Sequence, residues 1–131
     1  MTPEHTRVER ETRLFPQVPH LFDLHTTLET LRNETQYAAS GRNGVTLVKN
    51  PVVRVVLQAM RPGARLAEHH APGPITVQVL QGEIEFSVGE TVHTLHVGNL
   101  LALPARVPHS VHAVQESVFL LTIVPQAEPE A

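Results

Sequence analysis

The fold is decided by residues 61–112, which read RPGARLAEHHAPGPITVQVLQGEIEFSVGETVHTLHVGNLLALPARVPHSVH. Short apolar runs alternate here with Gly or Pro turns, and histidines lie near both ends, at His69 and His109. Runs of this length, separated by turns at this spacing, predict the antiparallel strands of an all-β sandwich or barrel. If that sheet folds back on itself, the two side chains face each other inside it. We expect any chemistry at that place.

The same pattern continues on both sides of this stretch. In the run Glu83–Val88, simple alternation turns Ile84, Phe86 and Val88 inward. Residues 52–60 are apolar almost throughout, which predicts burial on both faces. We predict nine strands, at residues 45–48, 52–60, 66–70, 75–80, 83–88, 91–97, 100–103, 109–114 and 117–124.

A helix precedes the strands. Leucines recur at helical spacing over residues 23–39, which predicts one amphipathic helix packed on the barrel or on a neighbouring subunit. Asp23 can cap its N-terminus, and Gly41 follows its end. The chain is thereby divided into a polar arm, a helical segment, a barrel and a tail, at residues 1–22, 23–43, 44–124 and 125–131.

Composition narrows the classes of function. The chain has 131 residues, which suits one domain, and its formal charge of -3 leaves no basic surplus for nucleic acid. No apolar run approaches the roughly 20 residues that span a bilayer. The N-terminus lacks the apolar core of a signal peptide, so the default expectation is a cytoplasmic protein with no membrane partner. The absence of cysteine excludes disulfides and thiolate chemistry, whereas nine histidines favour imidazole chemistry.

Six residues match two motifs in order and spacing. Gly63, His69 and Gly82 match the first motif, and Gly98, Pro104 and His109 match the second. The motifs are G-x5-H-x-H-x3-4-E-x6-G and G-x5-P-x-G-x2-H-x3-N, and the chain resembles the cupin superfamily that carries them. The resemblance covers about residues 44–124. It implies a jelly-roll barrel, also called a double-stranded β-helix, that is usually a homodimer.

Departures from these motifs affect the metal centre that the resemblance implies. That centre uses three histidines and one carboxylate to hold Fe, Mn, Ni or Zn, ions that suit such ligands. His69 and His109 keep two of the four ligand positions. Four motif positions differ from the expected residue. Ala71 replaces the second histidine, Ile75 the glutamate, Arg106 the glycine and Ala113 the asparagine.

Three further residues are candidates for the site. His70 could supply a third metal ligand beside His69 and His109 if a bulge or bend, forced by the turn at residues 72–74, brought both neighbouring histidines inward. Gln78 could fill a ligand position through its amide oxygen and needs the same kind of irregularity. Arg106, in the loop at the barrel mouth, could receive a ligand carboxylate or phosphate.

Two functions of different class follow. The first is a small-molecule-binding barrel with weak or no catalysis, which uses His69, Gln78, Arg106 and His109 and assigns no catalytic residue. The second is a metal-dependent enzyme of the dioxygenase or isomerase kind. Two structural alternatives stay beside them, a pair of hydrogen-bonded histidines with no ligand and a purely structural interaction module. We expect His112 to face away from the cavity, and at least one of His93 and His96 to lie on the surface.

Overall fold

The structure is a computed structural model that describes residues 18–125. It confirms the predicted all-β fold, with two short helices followed by nine strands in the described part of the chain. The helices are α1 (Leu24–Arg32) and α2 (Thr35–Ser40). The strands are β1 (Arg42–Lys49), β2 (Arg54–Met60), β3 (Arg65–His69), β4 (Ile75–Gln81), β5 (Glu83–Val88), β6 (Thr91–His96), β7 (Leu100–Leu103), β8 (His109–Ala113) and β9 (Ser117–Ile123).

The strands form two antiparallel sheets. One has five strands in the order β1-β2-β9-β4-β7, and the other has four in the order β3-β8-β5-β6. From β3 onward the chain passes back and forth between the two sheets, except at the β5–β6 hairpin, which is the connectivity of a jelly roll. The two sheets therefore enclose one interior, with the strand ends forming its mouths.

Two apolar cores lie on opposite faces of the five-stranded sheet. Between the sheets, Phe86, Phe119 and Met60 are almost fully buried. On the other face, the helices cover Leu57 and Ala59. Strand β2 contributes to both cores because its side chains alternate, which accounts for the apolar character of its C-terminal half.

The predicted start of this strand at residue 52 is wrong. The side chain of Asn50 accepts hydrogen bonds from the backbone amides of Val52 and Val53, both at 2.8 Å, and so closes a turn. Val52 is 74% exposed, and the strand begins only at Arg54.

The predicted continuous helix over residues 23–39 is also wrong, since it breaks between α1 and α2. Glu34 is extended, with φ -85° and ψ 153°. The buried side chain of Asn43 in β1 donates to the carbonyl of Leu31 at 3.0 Å and to the carboxylate of Glu34 at 2.8 Å. The sheet therefore supplies hydrogen bonds at the point where the helix ends. The predicted cap at Asp23 and the stop at Gly41 are confirmed. No helix in the described range is long and apolar enough to cross a bilayer.

Candidate functional site

His69 and His109 lie opposite each other on the neighbouring strands β3 and β8. Their ring centroids are 4.4 Å apart, and the rings meet edge to face at 65°. The predicted meeting of these two imidazoles is confirmed. It arises because β3 and β8 are adjacent in the four-stranded sheet, although forty positions separate the two residues in the chain.

The same hydrogen bond orients both rings. Nδ1 of His69 lies 2.8 Å from the carbonyl oxygen of Ala67, and Nδ1 of His109 lies 3.0 Å from that of Val107. A carbonyl oxygen only accepts, so Nδ1 carries the hydrogen in each neutral ring, and Nε2 keeps its lone pair. Neither Nε2 atom has a hydrogen-bond partner among residues 18–125. Both are therefore available to a ligand.

The environment of His109 keeps its ring neutral. His109 is only 4% exposed, and the ring of Phe86 stacks on it with centroids 5.0 Å apart. Burial lowers the pKa of His109 below its usual 6.5, and the nearby His69 and His70 lower it further, whereas the hydrogen bond to Val107 acts in the opposite direction. His109 is thus a neutral acceptor at pH 7, while His69 lies exposed at the mouth.

A cavity of about 240 Å³ opens beside the two rings. Its lining within residues 18–125 is mainly apolar and contains imidazoles and one guanidinium but no carboxylate. The lining residues are Arg54, His69, His70, Ala71, Pro72, Ile75, His109, Leu121, Ile123 and Pro125.

Arg54 is a cavity residue that the sequence analysis missed. We took residues 52–60 as a run buried on both faces and assigned no role to the one charged residue in it. Met60 points into the interior between the sheets, and alternation in steps of two places Arg54 on the same face. That alternation was the available signal.

His70 reaches the same cavity as His69. The pairing of β3 with β8 shifts register between Leu66 and His69, and β3 ends at His69. His70 is therefore outside the regular alternation, which is the kind of irregularity that the sequence analysis required. Even so, no group of three or more His, Cys, Asp or Glu residues within the described range is arranged to hold a metal. The donor set falls short of a centre with three histidines and a carboxylate.

The structure does not bring Gln78 or the Arg106 side chain into this cavity. Strand β4 alternates regularly through Ile75, Val77 and Val79, and its irregularity lies only beyond Val79, so Gln78 is exposed on the opposite face. Arg106 is exposed too, but its backbone amide donates to the carbonyl of Ala71 at 2.8 Å. Its φ of 66° is in the left-handed region that favours the glycine of the motif. Arg106 thus contacts the rim through its backbone.

Two other histidines pair with glutamates on the outer face of the four-stranded sheet. Nδ1 of His112 lies 3.0 Å from Glu85 Oε1, and Nδ1 of His96 lies 3.4 Å from Glu83 Oε1. His112 therefore faces away from the cavity, and His96 lies on the surface, both as predicted. Both contacts are partly exposed, and contacts of this kind contribute little to stability.

This architecture defines the chain as a small jelly-roll barrel whose mouth holds a histidine pair. A model of the cupin domain family matches residues 56–124, which is more than half of the chain. The chain therefore belongs to the cupin family. A comparison with curated proteins gave no match.

Solved cupin structures share the fold. An RmlC-like cupin from Desulfovibrio desulfuricans is 28% identical, with a TM-score of 0.65 over 81% of this chain and 98% of that one. A cupin superfamily protein from Desulfitobacterium hafniense is 18% identical, with a TM-score of 0.68 over 87% and 96% of the two chains. A cupin 2 conserved barrel domain protein from Leptotrichia buccalis is 32% identical, with a TM-score of 0.60 over 63% and 40%.

Proposed function

We propose that this cupin binds a small molecule at the mouth of its barrel, with His69 and His109 as the residues that orient it. The observation that carries the proposal is the pair of imidazoles whose Nδ1 atoms are bound to backbone carbonyls. Their Nε2 lone pairs accept hydrogen bonds, so the ligand must offer a hydroxyl or N–H donor. A concave, mainly apolar site with a few convergent polar groups is the usual form of a small-molecule site.

Fragment screening by saturation-transfer NMR tests this proposal. We expect fragments with a hydroxyl or amide group to bind the wild type, and the His69→Ala/His109→Ala variant to lose at least about tenfold in affinity. The matched control is His93→Ala/His96→Ala, which removes two imidazoles outside the cavity. Equal binding by all three proteins, or no binding by the wild type, would contradict the proposal.

A second candidate is the metal-dependent enzyme, and the same Nδ1 hydrogen bonds favour it. In metal sites, a histidine that donates its other ring N–H to a backbone carbonyl is held in the ligating orientation. His69 and His109 would hold the ion, and His70 lines the same cavity. A bound Fe, Mn, Ni or Zn would supply Lewis-acid or oxygen chemistry.

Elemental analysis of protein purified without a histidine tag separates the two candidates. Stoichiometric metal in the wild type that is lost in His69→Ala/His109→Ala supports the enzyme. Metal-free protein that still binds fragments supports the binder.

The homodimer and the cytoplasmic location stay predictions. What supports a dimer is the group of exposed apolar residues around the edge strands β6 and β7, where Val92, Val97 and Leu100 are 56%, 61% and 64% exposed. Sedimentation velocity of the purified chain tests the dimer.

A further inference from the structure

We propose that the ligand of this cavity is a small organic carboxylate and that Arg54 binds its carboxylate group. The inference rests on the proposed small-molecule function and names the chemical class of the ligand. Arg54 is the first residue of β2. Its Cα partner is Ile123, whose partner on the other side is Ile75, and all three residues line the cavity.

The Arg54 guanidinium lacks a protein partner among residues 18–125. Its Nε atom is buried without a hydrogen bond, and no ion pair joins it to any residue between 18 and 125. Arg32 provides a contrast. Its Nε atom also lacks a well-aligned hydrogen bond, but it lies 3.0 Å from Oε2 of Glu116. Arg32 has a carboxylate beside it, and Arg54 has none.

A buried guanidinium N–H without an acceptor, such as the Nε–H of Arg54, is unfavourable because it has lost its water without a replacement. No acidic residue of the described chain lines this cavity, so a ligand that enters it can supply the missing acceptor. The planar fork of arginine matches the two oxygens of a carboxylate, and a charge-assisted pair of this kind is stronger in a partly buried site than in water.

The remaining lining restricts the ligand further. Apolar side chains, among them Ile75, Leu121 and Ile123, face its body, and the Nε2 atoms of His69 and His109 accept from its donor group. The volume of about 240 Å³ lies below the roughly 300–1,000 Å³ of pockets for drug-sized ligands, which limits the ligand to a small molecule. A hydroxy acid of a few carbon atoms offers a carboxylate to Arg54, a hydroxyl to the two Nε2 atoms and a small apolar body to the rest of the lining.

The test compares acids with their own amides, which keep size and hydroxyl but remove the charge. Lactate and lactamide, and 3-hydroxybutyrate and 3-hydroxybutyramide, are titrated by NMR into the full-length wild type, Arg54→Gln, Arg54→Lys and Arg65→Gln. Arg65 is the matched control because it is an exposed arginine of β3 that lies outside the cavity. Inorganic phosphate is the anion without an apolar body. Thermal unfolding of each variant confirms that it folds.

We expect an acid to bind the wild type at least about tenfold more tightly than its amide, and more tightly than phosphate. Arg54→Gln should abolish the preference, so that acid and amide bind with equal affinity, whereas Arg54→Lys should keep part of the preference and Arg65→Gln should leave it unchanged. The ratio is internal to each protein, so a general loss of stability does not imitate the result.

Three results would overturn the inference. One is equal binding of acid and amide by the wild type, which leaves the small-molecule function standing. Another is phosphate binding as tight as that of the acids. The third is an acid preference that survives Arg54→Gln. If His69→Ala/His109→Ala left acid binding intact, the proposed function itself would fail, because the site would not be the histidine cavity.

Discussion

At the scale of single residues, the environment of His109 has the clearest energetic consequence. Its ring is buried against Phe86, and the charged and titratable groups that line the adjoining cavity are His69, His70 and Arg54. No acidic side chain of residues 18–125 lies in that cavity to favour a further positive charge. Protonation of His109 is therefore opposed by burial and by its neighbours.

The protein should therefore lose stability in acid through His109. Its folded-state pKa lies below the unfolded value of about 6.5, so the unfolded chain binds more protons. The contribution of His109 is fully present above pH 6.5 and is lost as the pH falls through the lower folded-state value. Urea unfolding in a chelator, at pH values above and below 6.5, measures this loss.

The variant His109→Gln should lose less unfolding free energy over that interval than the wild type, whereas the control His93→Gln should behave as the wild type does. An equal loss in all three proteins would show that His109 does not carry the effect.

Arg54 shows what residue-level reasoning omitted. The motif spacing identified His69 and His109 because the cupin resemblance assigns them roles. Arg54 occupies no motif position, and whether its side chain reaches the cavity depends on which face of the strand is interior. That face becomes known only when Met60 is placed between the sheets.

At the scale of elements, the turn between β4 and β5 is the tightest constraint. Gly82 has a φ of 81°, and a Cβ atom built there would lie 2.8 Å from Cα of Ser117 and would also meet the Glu116 carbonyl. Ser117 in turn accepts from the Glu83 amide and donates to the Glu83 carbonyl, both at 3.0 Å. The turn and the link between the two sheets are thus built at one place.

We expect Gly82→Ala to lower the free energy of unfolding by about 2–4 kcal/mol. The new Cβ atom would clash with the backbone, and this steric cost adds to the cost of holding alanine in a left-handed conformation. Gly89 is the matched control. Its φ is 60°, and a Cβ atom there meets nothing within 4 Å. Gly89→Ala should lower the free energy of unfolding by only about 1 kcal/mol, since its sole cost is holding alanine in a left-handed conformation. Chemical denaturation measures both, and equal effects would contradict this account.

The helix break shows where element-level prediction fails. The leucines that recur at helical spacing over residues 23–39 include Leu28 and Leu31, and both are buried in the structure. The break depends on Asn43, which is twelve positions beyond Leu31 and belongs to the sheet. The pattern of apolar residues within a helix does not reveal a contact that the helix makes with a distant strand.

At the scale of the whole molecule, the two-sheet fold brings residues that are far apart in the sequence into contact. Turn residues and alternating runs predicted most strands well, because a strand that buries one face alternates apolar and polar side chains. The order of strands brings β3 beside β8, and this adjacency places residues 69 and 109 together. The cavity chemistry was less predictable, because it depends on which side chains remain without partners once the sheets have packed.

The most direct test of this account is the position of the ring hydrogen in His69 and His109. Long-range ¹H–¹⁵N spectra of protein labelled at its histidines, recorded at alkaline pH, report it for each ring. We predict the hydrogen on Nδ1 in both, as the bonds to Ala67 and Val107 require, with a nuclear Overhauser effect between the two rings. A hydrogen on Nε2 in either ring, or no such effect between them, would contradict a shared site with two accepting nitrogens.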